Sequence, residues 1–298
     1  MNQTPDNKTY AAFFLAMLIG GANFIAVSLS NRELPPLFGA ALRFGLSTLL
    51  FFLLARAWRI PLARGRDALG AVIYGVLSVG TAYAFLYYAL VGLDAGTVAV
   101  IVASVPLFTL SIAVLIGQER LSMNRVVGGI LAIAGIVILR GLGGDLALSY
   151  FIAAVLGAIS IAASSVVAKA YPNVHPLNMN AIGTAAGTLL LIVSSLFFGE
   201  RWALPRDNST WIAVGWLVLA GSVGLFQLWL FVIKRWTASA TVYAVTGMPV
   251  IAAILGIVML EQPVTVEVVA GGVLVIAAVY VGAIAKQRET ADIRQEKA

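Results

Sequence analysis

The chain has 298 residues, of which 61% are hydrophobic and 11% charged, with a formal charge of +6 and a mean hydropathy of +0.98. A soluble protein carries about a quarter charged residues, so this composition excludes an ordinary aqueous enzyme; at roughly 20 apolar residues per crossing it leaves room for about ten membrane spans. Zero cysteines and a single histidine exclude disulfides, thiolate chemistry and imidazole clusters, so neither a cofactor nor a metal is expected.

Charges divide the chain into apolar blocks near 10–29, 37–55, 68–91, 95–117, 124–140, 148–168, 177–198, 210–233, 237–260 and 265–285. Each is a helix candidate, because a lone strand cannot satisfy its backbone in lipid. The first follows a polar start with only Lys8 as a basic residue and has a counterpart later in the chain, so it is expected to be a span and not a signal peptide. The fifth is short, and Arg125 and Arg140 at its ends can snorkel to the interfaces. Turn chemistry at Pro35-Pro36, Gly141–Gly144 and Pro172-Asn173 separates neighbouring blocks.

With the amino terminus inside, fourteen of the 19 basic residues fall on the cytoplasmic side. Arg32, Arg140, Arg201 and Arg206 fall outside, and Arg43 lies within the second block. This bias predicts that both termini are cytoplasmic. It also accounts for the sequence pI near 9.7 without invoking nucleic acid.

An internal repeat is the most informative feature. Thr97-Val98, Pro106, Glu119, Ser122 and Gly128-Gly129 recur as Thr241-Val242, Pro249, Glu261, Thr265 and Gly271-Gly272, at an offset of 143 for the prolines and the glycine pairs. A duplicated unit of five helices must insert its second copy upside down, which is the inverted-repeat plan of secondary transporters. The expected fold is an all-α polytopic membrane protein with ten transmembrane helices in two inverted five-helix repeats. Residues 10–140 and 148–285 form the repeats, between cytoplasmic tails 1–9 and 286–298.

The run Gly20-Gly21-Ala22-Asn23-Phe24, Arg43 in the second helix and the two Glu…Gly-Gly endings resemble the drug/metabolite transporter superfamily. Within it the chain is similar to EamA-type ten-helix exporters, and most like the inner-membrane exporters of aromatic and other amino acids. It departs from that pattern at Ile19, where a tryptophan is common, and Gly183 aligns with Arg43 in the second repeat. The resemblance implies a multi-pass protein of the plasma (inner) membrane that moves a small-molecule substrate through the lipid bilayer, as a monomer or homodimer.

Pro106 and Pro249 lie near the middle of their blocks and should free the carbonyls of Val102 and Val245. They mark hinges or kinks, with Gly247 beside the second, and Ser104, Tyr243 and Thr246 cluster around them. Tyr83 and Tyr87 share a helical face, and Phe226 is the repeat mate of Tyr83, with Gln227 next to it. Asn23 in the first helix and Ser160 and Ser164 in the sixth add polar groups deep in apolar runs. Together these ten side chains are the candidate substrate-binding set: an aromatic wall with hydroxyls and amides suits a neutral amino acid. Gly128, Ala132 and Gly135 have the small-residue spacing of a close helix contact.

All 13 acids fall at helix ends or in loops. A proton-coupled transporter commonly buries a carboxylate or histidine in the membrane, so export of neutral solutes by alternating access is the expectation, as uncoupled facilitated diffusion or with coupling through a group not visible in the sequence. Glu119 and Glu261 are read as structural, beside N-caps at Ser122 and Thr265, and Arg43 is read as structural or gating. A multidrug or nucleotide-sugar transporter is the alternative within transport, and an ion channel the alternative outside it. An intramembrane enzyme would need an acid, histidine or metal cluster that the sequence lacks.

Overall fold

The computed structural model describes residues 7–116, 123–140, 145–228, 232, 238–262 and 265–281. Among them are the helices α1 (Asn7–Ser30), α2 (Pro36–Ala57), α3 (Gly65–Gly92), α4 (Ala95–Ala103 continuing as Val105–Leu115) and α5 (Met123–Arg140). The second set is α6 (Asp145–Ala170), α7 (Pro176–Phe197), α8 (Asn208–Leu228), α9 (Ala238–Leu260) and α10 (Val266–Val279). Six of these are long and apolar enough to cross a membrane, and shorter apolar helices make up the rest. No strand occurs among the described residues. The chain is an all-α polytopic protein of two inverted five-helix repeats.

The repeats pack across each other: α2 lies along α7, α1 along α9, α5 along α10, and α6 against α3 and α4. Lipid is as apolar as the side chains it meets, so close packing rather than hydrophobic burial holds such helices together. Fully buried alanines such as Ala40, Ala95, Ala154 and Ala158 provide the close approach, while Leu53, Ile130 and Phe197 stay exposed on the outer surface. Gly135, one of the small residues of α5, meets Gly271 at the α5–α10 contact.

Repeat symmetry extends to the helix ends. α2 and α7 each have 22 residues and begin on a proline, 140 residues apart. Beyond their ends, Arg59 (φ 54°) and Gly199 (φ 68°) take the left-handed conformation at the same offset. The next amides, of Ile60 and Glu200, turn back to the carbonyls of Ala55 and Ser195.

Two features depart from the sequence reading. First, α4 breaks at Ser104, so Pro106 sits in the first turn of the second piece, where a proline's missing N–H costs nothing. Its mate Pro249 lies inside a continuous α9. The prolines are therefore not equivalent interruptions. Second, the matched interruptions are π-helical turns, Val76–Thr81 in α3 and Leu219–Gly224 in α8, offset by the repeat spacing of 143. Such turns concentrate at functional sites.

The π turn of α3 adjoins the tightest glycine crossing among the described residues. A Cβ on Gly75 would fall 1.9 Å from the Gly183 carbonyl oxygen, and one on Gly187 would fall 2.5 Å from the Val79 Cβ. Only glycine permits this backbone-to-backbone approach. Gly75→Val is expected to lower the melting temperature in detergent by several degrees, since overpacking alone costs about 1–3 kcal/mol. Gly215→Ala, where no atom lies within 4 Å of the added carbon, is expected to leave it unchanged.

Candidate functional site

A cavity of about 340 Å³ occupies the middle of the bundle. Both repeats wall it, and it extends toward the end where α2 finishes and α3 and α7 begin. Phe44, Phe51, Tyr74, Tyr83 and Phe226 supply aromatic surface, with Met248 from α9. Ser78, Ser164, Ser165, Asn180, Thr184 and Ser222 supply polar groups. Its size and mixed lining are those of small-molecule sites.

Local geometry explains which groups converge. The extra residue in the π turn of α3 brings Tyr74, Ser78 and Tyr83 to one wall, at spacings of four and five. Ser164 and Ser165 donate to the Ile161 carbonyl, at 2.7 and 3.0 Å, and Asn180 donates to the Pro176 carbonyl at 2.9 Å. Thr48 donates to Thr184 at 2.9 Å, joining α2 to α7. The Ser164 and Ser165 hydroxyls are thus anchored on their own helix and keep acceptor lone pairs.

Arg43 is the one charged residue in the lining, 1% exposed. Its Nη2 donates to the Gly221 carbonyl and its Nε to the Ser222 hydroxyl, both at 3.2 Å, on the π turn of α8. Asn23 donates to the same Gly221 carbonyl at 3.2 Å. Phe44 and Tyr83 flank the guanidinium, with ring centroids 4.7 and 5.1 Å from its central carbon. This crossing is the repeat mate of the Gly75–Gly183 crossing. Where α7 has a glycine and touches backbone, α2 has an arginine that spans the gap, so the cavity sits where the repeat symmetry is broken.

Of the expected binding residues, Tyr83, Ser164 and Phe226 line the cavity. Tyr87 is fully buried beside it, its ring 6.4 Å from that of Tyr83, and Asn23 lies one contact away at Gly221. The structure places Ser104 and Ser160 elsewhere: each hydroxyl bonds within its own helix, to the carbonyls of Ile101 and Leu156. Gln227 is outside the lining, with a buried Nε2 that has no partner. The side chains of Tyr243 and Thr246, and all of Glu119, lie outside the described residues. Glu261 caps the end of α9 with φ 55°, and Gly247 faces Met17 of α1. Sequence reasoning missed Tyr74, Asn180 and Thr184. The four-residue spacing of Asn180 and Thr184 on α7 was their available signal.

At the opposite end, carboxylates cross between the repeats. Glu200 accepts from the amides of Leu37 and Phe38 at 3.0 and 2.8 Å, closing the amino terminus of α2. Glu33 accepts from the amides of Arg206 and Asp207 at 3.2 Å beside α8. The Thr210 hydroxyl, the Asp207 and Arg206 amides and the Arg206 charge hold the Glu33 carboxyl below its usual value, against a smaller desolvation effect. Each acid sits at the positive end of a helix dipole.

These features define a polytopic membrane protein with a solute-sized chamber between inverted halves, which is the architecture of a secondary transporter. The EamA-like transporter family model matches the chain twice, over residues 7–141 and 148–283, and the protein belongs to that family. It is 31% identical to the uncharacterized inner membrane transporter YedA of Escherichia coli K12, over 91% of this chain and 90% of that one. It is 25% identical to the uncharacterized transporter YoaV of Bacillus subtilis, over 92% and 96%. A probable amino-acid metabolite efflux pump of Salmonella typhimurium is also 25% identical, over 90% and 93%. A solved crystal structure with 18% identity superposes with a TM-score of 0.67 over 95% of this chain and 99% of its own, a likeness of fold. The protein is a multi-pass inner-membrane transporter.

The lowered Glu33 carboxyl has a pH consequence. Its stabilisation is complete above the unfolded value near 4.5 and is lost as pH falls through the lower folded value. Melting temperatures measured between about pH 6 and pH 3 are expected to fall less steeply in Glu33→Gln than in the wild type.

Proposed function

We propose that the protein exports neutral amino acids, aromatic ones included, and related small metabolites by alternating access between its two halves. The observation that carries this reading is the mid-bundle cavity, in which rings from α2, α3 and α8 face hydroxyls and an amide from α6 and α7. That combination fits an apolar side chain attached to a polar backbone. The relative named as a probable amino-acid metabolite efflux pump points the same way. A nucleotide sugar would want several cations for its phosphates, whereas Arg43 is the sole cation in the lining.

Transport is proposed to be uncoupled. No carboxylate or histidine lines the cavity among the described residues, so the usual proton-binding group is missing there. The loop charge bias supports cytoplasmic placement of both termini, and a monomer or homodimer is the proposed working unit.

Counterflow of labelled phenylalanine in proteoliposomes tests the reading. Saturable uptake that persists when a pH gradient is collapsed is expected, and dependence on that gradient contradicts uncoupled transport. Phe226→Ala is expected to raise the KM for phenylalanine by about ten- to a hundredfold, from the loss of roughly 1.5–3 kcal/mol of aromatic burial. Trp202→Phe is expected to have little effect, because Trp202 stacks on Phe38 at the far end of the bundle, 5.1 Å between centroids.

A further inference from the structure

The guanidinium of Arg43 is incompletely satisfied. Its faces lie against Phe44 and Tyr83, and Nε and Nη2 are bonded to a neutral hydroxyl and a neutral carbonyl. Nη1 is buried and has no hydrogen-bond partner. The Tyr87 hydroxyl is likewise buried without a well-formed hydrogen bond, and Arg43 is the side chain it faces. Two groups able to donate hydrogen bonds therefore converge, and apart from the phenol oxygen itself no acceptor takes either hydrogen among the described residues. No Asp or Glu lines the cavity among the described residues, so the charge has no counter-ion there.

A buried cation without an anion is the costly arrangement in a membrane protein. An occupant carrying a carboxylate relieves it by accepting from Nη1 and the Tyr87 hydroxyl in charge-assisted bonds. We infer that Arg43 and Tyr87 form the subsite that receives the carboxylate of the transported solute. The ligand class is then a monocarboxylate with an apolar body, zwitterionic amino acids among them. The single free edge of one guanidinium fits one carboxylate, and Tyr74, Phe51 and Phe226 form an apolar space alongside. Lipophilic cations are disfavoured by the same charge. This deepens the proposed transport reading and rests on the cavity being its solute site.

The test uses the purified full chain in detergent with three probes that share one ring. Phenylacetate has the carboxylate without the amine, phenethylamine has the amine alone, and phenylalaninamide has the amine with a neutral amide. Phenylacetate is expected to raise the melting temperature while the other two do not. In Arg43→Gln the phenylacetate shift is expected to vanish, and Arg43→Lys should retain part of it, since an ammonium keeps the charge without the fork. Tyr87→Phe keeps the ring and is expected to weaken phenylacetate roughly tenfold, which provides a readout if Arg43→Gln fails to fold. Equal shifts from phenethylamine, no shift from phenylacetate, or an undiminished shift in Arg43→Gln overturns the assignment. Absence of phenylalanine counterflow with the carboxylate shift intact overturns the amino-acid reading alone.

Discussion

A guanidinium in the middle of an apolar bundle costs about 2.5–3.5 kcal/mol on insertion scales, and the surrounding structure is arranged around that cost. Arg43 reaches across from α2 to a carbonyl and a hydroxyl on α8. That carbonyl lies within the π turn of α8, where the i→i+4 register of the helix is interrupted. Asn23 of α1 uses the same carbonyl, so three helices meet at Gly221. A Cβ on Gly221 would fall 2.3 Å from the Asn23 Oδ1, which ties the site to a residue without a side chain.

The broken symmetry between the repeats turns this junction into a chamber. At the mate position α7 carries Gly183 and closes directly onto Gly75 of α3. One crossing is sealed by backbone contact, and the other is held open by a long side chain with polar partners. The ties at the two ends of the bundle differ in kind. Here the far end is tied by Glu33 and Glu200 at the starts of α8 and α2. At the near end the tie between the repeats is an uncharged amide, Asn178 donating to the Pro61 carbonyl.

Much of this was legible in the sequence, for definite reasons. The spans were readable because lipid demands long apolar runs, and the inverted plan because the prolines and Gly-Gly pairs keep a common offset. Tyr83, Ser164 and Phe226, which line the cavity, stood out in the sequence because they are polar or aromatic groups deep in apolar segments. The π turns were not, since one inserted residue leaves hydropathy unchanged while rotating everything beyond it. The triplet Ser-Val-Gly at 78–80 and 222–224 marked both of them. Ser104 and Ser160 misled because a serine in a helix can satisfy itself on the preceding turn. Arg43 was visible as an anomaly, but its vacant edge depends on where α8 and α3 lie in space.

The most direct test of the central claim, that the mid-bundle cavity is an aqueous chamber holding the solute, exploits the absence of native cysteine. A single thiol at Asn180→Cys is probed in membranes with a water-soluble methanethiosulfonate, alongside Leu53→Cys on the exposed outer surface. Fast labelling at position 180, slowed by a saturating transported amino acid and absent at position 53, is the expected result. A thiol at position 180 that stays unreactive, or reacts at a rate the solute does not change, contradicts the account.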